Sequence, residues 1–305
     1  MMNAEKVKEL ARQLLTEENV VIANAIRTQI KEYYATLSFK TIGQTRREAG
    51  FSYLGSINSS AKIVKNATKN YDTYIVYLAP HTMSGHNTCA KASEGCISAC
   101  LNTSGRVKMD TEQKILRARL LRTLLFYGNR EVYNKLLFSE IESAKKKAKS
   151  NGHKFSVRLN GTSDLSPKLF NVNGVNVLDK FKGVQFYDYT KVYNRMKTTS
   201  ENYHLTFSYS GDNMNEVVQA LDKGYNVAVP FLVKPKGELP QDFLGHDVGD
   251  ADKTDLRFLD ELRIAGLRVK MTKDKTAVDY AVKQGFVIDP NNFDIEKLKA
   301  ADKAA

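Results

Sequence analysis

The chain has 305 residues, of which 42% are hydrophobic and 26% are charged, a composition typical of a globular protein with a full core. It contains no apolar run of the roughly 18 residues that span a bilayer, and residues 1–20 are charged throughout, so we expect no membrane partner, no secretory signal and a cytoplasmic location. Lysine and arginine outnumber aspartate and glutamate by 46 to 34, which gives a net charge of +12. This charge favours an anionic substrate or nucleic acid as partner. Solvated helix faces are the alternative explanation of the excess.

Residues 1–70 predict a helical N-terminal appendage. Apolar side chains recur at helical spacing through residues 3–36, whereas residues 38–70 carry three glycines and a polar run and are less regular. We therefore expect the main domain, residues 71–305, to begin at the apolar segment that follows.

The main domain alternates apolar segments with helical patterns. Strands are predicted at residues 71–80, 154–161, 183–190, 203–211, 225–233 and 266–271. A repeated strand, loop and helix predicts an α/β domain with a parallel sheet, and near-continuous apolar strands are typical of such sheets. No glycine-rich nucleotide-binding motif follows any strand, so a doubly wound sheet has no support from motifs and we expect a full or partial (β/α) barrel of about six strands.

All three cysteines lie in the loop after the first predicted strand. Cys89, Cys96 and Cys100 have the spacing C-x6-C-x3-C, and His86 precedes them as a candidate fourth ligand. An odd number of clustered cysteines argues against a disulfide framework and indicates metal or redox chemistry. Three interpretations remain open: a closed Cys3His zinc site, a [4Fe–4S] cluster with one open iron, or cysteines without metal.

The helix predicted after the cysteine loop is strongly basic. Its cationic side chains are Lys114, Arg117, Arg119 and Arg122. Pairs spaced by three residues share a helix face, so this helix predicts either a strip that binds a polyanion or an ordinary solvated face.

Polar turns follow the later predicted strands. Because the carboxyl ends of barrel strands converge on one face, we expect these turns to lie near the cysteine loop and to bind a cofactor. The candidate cofactor-binding residues are Asn160, Gly161, Thr162, Ser163, Ser208 and Ser210. Asp164 and Lys191 are the catalytic candidates, as an acid–base group and as an amine for proton transfer or a Schiff base. The alternatives are helix capping for Asp164 and a surface position for Lys191.

An acidic segment lies at residues 245–260. It contains His246, Asp247, Asp250, Asp252 and Asp255. These side chains predict either a Mg²⁺ or Ca²⁺ site without EF-hand spacing or a loop whose carboxylates pair with arginines.

Several segments resemble the bacteriophage gene-product-88 family over about residues 70–271. They are SGHNTCAKASEGCISACLNTSGR, VRLNGTSDLS, YHLTFSYSG, GYNVAVPF, TDLRFLD and GLRVK. The cysteine segment and RLNGTSD are the most specific of them. The resemblance implies a phage origin and one shared set of motifs, and it implies no particular reaction.

The place of the cysteine loop, after the first of about six strand–helix units, resembles the layout of radical S-adenosylmethionine enzymes, whose usual motif is C-x3-C-x2-C. This resemblance implies a [4Fe–4S] cluster on the three cysteines, S-adenosylmethionine as a cofactor contacted by residues 160–164, and an enzyme acting on a nucleotide, nucleic acid or related anionic substrate. The alternative is a non-catalytic phage factor that binds nucleic acid or protein and holds a structural Zn²⁺.

Overall fold

The computed structural model describes residues 2–57, 61–197, 200–270, 274 and 276–294. The chain divides into two compact units, and each unit takes up separate segments of the sequence. The first unit consists of Met1–Ser59, Asn70–Cys89 and Met109–Val184, and the second of Ser60–Lys69, Ala90–Lys108 and Gln185–Ala305. The domain boundary predicted near residue 70 stays a prediction. Parts of both predicted domains, namely residues 1, 58–60, 198–199, 271–273, 275 and 295–305, lie outside the described residues.

The helices and strands alternate along most of the chain. In order, the helices are α1 (Ala4–Leu14), α2 (Val20–Ala35), α3 (Ile42–Ala49), α4 (Ala61–Val64), α5 (Glu94–Ser98), α6 (Lys114–Gly128), α7 (Arg130–Ser150), α8 (Val177–Lys180), α9 (Met214–Asp222) and α10 (Thr276–Lys283). The strands are β1 (Gly55–Ile57), β2 (Tyr71–Val76), β3 (Lys154–Arg158), β4 (Asn171–Val172), β5 (Val175–Asn176), β6 (Gln185–Thr190), β7 (Tyr203–Ser208), β8 (Val227–Phe231), β9 (Asp242–Phe243), β10 (His246–Asp250) and β11 (Ile264–Arg268). Within the described part of the chain, no helix is both long and apolar enough to cross a bilayer.

The N-terminal residues are helical as predicted, and residues 3–36 form two helices. The chain forms α1 and then begins again at α2, because the Asn19 side chain accepts hydrogen bonds from the backbone N–H groups of Val21 and Ile22. An N-cap of this kind satisfies the first free amides of a new helix. The less regular stretch after residue 38 contains α3 and the strand β1.

In the first unit, β2 is the central strand. It pairs antiparallel with β1, with Gly55 opposite Val76, and parallel with β3, with Tyr71 opposite Lys154. Helix α7 packs on all three strands, while α6 packs on α1 and α2. Every residue of β2 after Tyr71 is buried, and its second half, Tyr74–Val76, forms the apolar run that is typical of a strand covered on both faces.

In the second unit, parallel pairing dominates. β6, β7, β8 and β11 lie side by side in parallel, and β10 extends the parallel arrangement next to β11. The short strand β9 pairs antiparallel with β10. Val227, Ala228 and Val229 of β8 are all buried, as expected for a strand covered on both faces.

The predicted α/β class is confirmed, and the six predicted strands correspond to β2, β3, β6, β7, β8 and β11. Closure of the strands into a barrel stays a prediction. Strand β10 lies in the segment predicted to be an acidic loop, and its polar sequence, HDVGD, explains the omission, since it contains a single large apolar residue. Met271, at the end of the sixth predicted strand, lies outside the described residues.

A buried carboxylate organises the first unit. Glu140 lies on α7, and its side chain is only 1% exposed. One oxygen, Oε1, accepts hydrogen bonds from Arg46 Nε at 2.7 Å and from the backbone N–H of Leu54 at 3.0 Å. The other, Oε2, accepts from the backbone N–H of Gly55 at 3.0 Å and from the Tyr74 hydroxyl at 2.7 Å. Four donors and one opposite charge satisfy the carboxylate, as a buried charge requires.

The substitution Glu140→Gln should lower the free energy of unfolding of the first unit by about 3 kcal/mol, because the amide nitrogen cannot accept hydrogen bonds and leaves buried donors unsatisfied. Chemical denaturation followed by circular dichroism measures the change. The matched control is Glu131→Gln on the same helix, where the carboxylate is 73% exposed and a change under about 0.5 kcal/mol is expected. Equal effects of the two substitutions would contradict the role given to Glu140.

The second unit contains a histidine that is held neutral. Burial first, and the nearby charge of Arg257 second, lower the pKa of His204 to about 4. The His204 Nε2 atom lies 3.4 Å from Thr206 Oγ1, within the strand β7. Since the unfolded chain binds a proton near pH 6.5, the unfolded state binds more protons than the folded state between about pH 6.5 and pH 4.

The free energy of unfolding should therefore fall as the pH is lowered from 6.5 towards 4. His204 alone should account for about 3 kcal/mol of this fall, and its contribution should stay constant below pH 4. Urea unfolding at a series of pH values measures the slope. The variant His204→Gln lacks the titrating group, so its stability should depend less on pH across this window. A variant with the same slope as the parent protein would show that His204 does not titrate in this way.

Candidate functional site

The cysteine segment passes from one unit to the other. Cys89 is the last residue of its segment in the first unit, whereas Cys96 and Cys100 belong to the second. All three cysteines have intermediate exposure. Cys89 Sγ accepts a hydrogen bond from the backbone N–H of His81 at 3.4 Å, and Cys100 Sγ accepts one from the backbone N–H of Asn102 at 3.4 Å. Backbone donors to sulfur are also found at iron–sulfur sites, where they tune the cluster potential.

Helix α5 carries Cys96 and is held in place within the second unit. Ser93 caps the helix: its Oγ accepts from the Cys96 N–H at 3.2 Å and donates to the carbonyl oxygen of Ser210. A Cβ atom on Gly95 would lie 2.6 Å from Phe286 Cβ, so this glycine permits close packing. The helix ends at Ser98, so Cys100 does not continue the helical face of Cys96.

The turn at residues 160–164 lies against Cys89 in the first unit. Cys89 Sγ lies 3.7 Å from the carbonyl oxygen of Thr162, and the Asp164 N–H donates to the Thr88 carbonyl at 2.8 Å. Thr162 Oγ1 also donates to the Leu78 carbonyl oxygen at 2.5 Å. The first unit therefore brings two of the predicted motifs together.

The side chains of Asn160 and Ser163 shape this turn. Asn160 Oδ1 accepts hydrogen bonds from Ser163 Oγ at 2.8 Å and from the Leu165 N–H at 2.9 Å, and Asn160 Nδ2 donates to the Leu165 carbonyl at 3.0 Å. Asn160 is 2% exposed, so its role in the structure is to position the turn. The short helical turn that follows is capped by Ser166, while Asp164 is partly exposed beside the Cys89 segment.

The second unit brings together residues from the ends of β6 and β7. Lys191 Nζ donates to Ser208 Oγ at 3.5 Å and lies 6.0 Å from the centre of the Phe286 ring. Ser210 Oγ donates to Asp212 Oδ1 at 2.5 Å, and the Ser210 N–H donates to Asn213 Oδ1 at 2.8 Å. Because Phe286 also contacts Gly95, Lys191 lies close to the helix that carries Cys96. The catalytic and cofactor-binding roles of these residues stay predictions.

His86 lies in a basic environment. Its ring stacks on Tyr127, with the ring centres 3.9 Å apart and the planes inclined by 5°. Burial, and then the charges of Lys31, Arg27 and Arg130, lower the pKa of His86. Among the described residues, no group of three or more His, Cys, Asp or Glu side chains is arranged to hold a metal ion. The metal-binding role of the three cysteines and His86 therefore stays a prediction.

In the acidic segment at residues 245–260, carboxylates pair with an arginine, which is one of the two predicted alternatives. Arg268 Nη1 lies 2.8 Å from Asp250 Oδ1 and 3.3 Å from Asp252 Oδ2. Asp255 is buried and accepts a hydrogen bond from the Tyr187 hydroxyl at 3.0 Å. These carboxylates stabilise the edge of the second unit.

Two arginines of α6 are buried, so both predicted roles for them, a polyanion strip and a solvated face, are wrong. Arg122 is 4% exposed and donates from Nε to the Tyr53 carbonyl at 2.9 Å. Arg119 is 7% exposed and lies over the Tyr77 ring at 5.0 Å. Lys114, by contrast, is exposed and pairs with Glu112.

The fold and the site define an α/β protein with mostly parallel strands, in which polar turns at strand ends meet a segment rich in cysteine. A model of the family Gene product 88, a bacteriophage family, matches residues 54–290. The match covers most of the chain, so the chain belongs to this family, and a phage origin is confirmed. No curated protein and no solved structure matches the chain significantly.

Gly161 lies where the turn at residues 160–164 packs against the end of the central strand β2. A Cβ at this position would lie 2.6 Å from the Val76 carbonyl oxygen and 2.6 Å from Tyr77 Cδ1, so Gly161→Ala should lower the free energy of unfolding by about 2 kcal/mol. The control is Gly183→Ala in the same unit, where an added Cβ meets no atom within 4 Å and thermal unfolding should change little. A fully stable Gly161→Ala protein would show that the turn can move away from the strand.

Proposed function

We propose that this phage protein is an iron–sulfur enzyme in which Cys89, Cys96 and Cys100 hold a [4Fe–4S] cluster with one open iron. The observation that carries the proposal is the pair of N–H···S hydrogen bonds at Cys89 and Cys100, in a segment of twelve residues that contains all three cysteines of the chain. Sulfur ligands of such clusters commonly accept backbone hydrogen bonds.

The surroundings of His86 favour three cysteine ligands over a Cys3His zinc site. A zinc site of that type needs the imidazole as a fourth ligand. The cations Arg27, Lys31 and Arg130, which help to lower the pKa of His86, also repel a divalent cation bound there.

The radical S-adenosylmethionine-like character is part of the same proposal. The parallel pairing of β6, β7, β8 and β11 supports a (β/α) barrel-like arrangement, in which strand ends line the site. A cluster held by the three cysteines would supply one-electron chemistry. The turn at residues 160–164 would bind S-adenosylmethionine, with its shape held by Asn160 and Ser163.

Lys191 and Asp164 are the proposed catalytic residues. Lys191 Nζ, fixed by Ser208 Oγ, would bind the anionic substrate or transfer a proton to it. Asp164 would act as an acid–base group beside Cys89. The anionic substrate class is supported by the net charge of +12.

The protein purified without oxygen should be brown, with absorbance at about 400 nm and about four irons per chain. Cys96→Ser should lose the colour and most of the iron while keeping the circular dichroism spectrum of the parent, because Cys96 is only partly buried and its backbone N–H still reaches Ser93. Lys91→Ala changes an exposed residue of the same segment and is the control that should keep the iron.

A colourless protein that binds one zinc tightly, and unfolds when Cys96 is replaced, would overturn the proposal in favour of a structural zinc site. Reconstitution with iron and sulfide before the measurement separates a cluster lost in purification from a cluster that never forms.

A further inference from the structure

Three cations of the first unit lie near His86, whose ring stacks on that of Tyr127. Arg27 and Lys31 lie one turn apart on α2, and Arg130 begins α7. The Arg130 guanidinium carbon lies 5.6 Å from the centre of the Tyr127 ring and 4.1 Å from that of Phe126. We call Arg27, Lys31, His86, Tyr127 and Arg130 the cationic cluster.

Two glycines bring the parts of the cationic cluster together. Gly85 has a φ of +80°, and a Cβ there would lie 2.7 Å from Arg27 Cδ, so only glycine lets the loop before His86 lie against this side chain. A Cβ on Gly128 would lie 3.1 Å from the Cα of Lys31, so α2 and α6 cross at this point. The crossing places Lys31 beside Tyr127, the neighbour of Gly128.

The positive charge of the cationic cluster has no compensating carboxylate. Within the described part of the chain, Arg27, Lys31 and Arg130 form no ion pair, whereas Lys135 of α7 pairs with Glu131 at 2.5 Å. Arg27 Nη1 donates to the Asn24 side chain at 2.8 Å, but Arg27 Nε is buried and has no acceptor among the described residues. Arginines held without a counter-charge are suited to phosphate, which accepts several hydrogen bonds at once.

We propose that the cationic cluster binds the phosphate group of a small phosphorylated compound, such as a mononucleotide. The three cations gather around one pair of stacked rings, which suits one or two phosphate groups. An extended nucleic acid would need a longer row of cations along its backbone. This phosphate site depends on the proposed function in one respect: the phosphate is taken to be part of the enzyme's substrate. Phosphate binding itself does not require a cluster on the cysteines.

Calorimetric titration with adenosine monophosphate, inorganic pyrophosphate and adenosine tests the proposal on the full chain. The two phosphorylated probes should bind, and adenosine should not. Arg27→Met and Arg130→Met keep the aliphatic packing of each side chain and should each weaken phosphate binding by about tenfold or more. Lys135→Gln on α7 removes an already paired cation and should change the affinity by less than about twofold.

Three results would overturn the proposal: equal affinity for adenosine and its monophosphate, unchanged binding in both arginine variants, or tighter binding of a single-stranded oligonucleotide with a steep salt dependence. The Cys96→Ser protein separates the two proposals. If it binds adenosine monophosphate like the parent, the phosphate site stands whatever the cysteines hold. A brown protein that binds no phosphate would leave the cluster proposal in place and contradict this one.

Discussion

The first unit depends on the burial of one negative charge. Glu140 is removed from water and must be satisfied by donors from elsewhere in the chain, and these come from α3, from the residues that lead into β1, and from the central strand β2. Its partners fix where Gly55 and Tyr74 meet, which in turn fixes the register of β1 on β2. Because the same β2 leads into the segment that ends at Cys89, the geometry of the candidate site depends on this carboxylate.

The cysteine segment has a separate anchor in each unit. In the first, the turn at residues 160–164 lies against Cys89 through backbone atoms of Thr162 and Asp164. In the second, Ser93 joins helix α5 to the turn that follows β7. Cys89 is therefore held by the backbone of a neighbouring turn, and the helix of Cys96 by the side chain of Ser93.

Local patterns in the sequence predicted the strands well, because buried parallel strands are continuous apolar runs. The same patterns missed the strands β1, β9 and β10, which are too short or too polar to form an apolar run. They also misjudged Arg119 and Arg122, since nothing in the helical spacing reveals that aromatic rings and a carbonyl of distant residues will cover them. For the candidate site, the choice of motifs came from the residues themselves. The contact between Cys89 and Thr162, and that between Lys191 and Ser208, required the folded chain.

The anchor of helix α5 has a consequence for how the protein is made. Its contacts with Ser210, with Ala277 through Ser98 and with Phe286 join residues that are synthesised long after Cys96. Since chains fold as they emerge from the ribosome, at about 5–20 residues per second, Cys96 and Cys100 remain unshielded until residue 286 has been made. During that interval both thiols are open to oxidation and to stray metal ions.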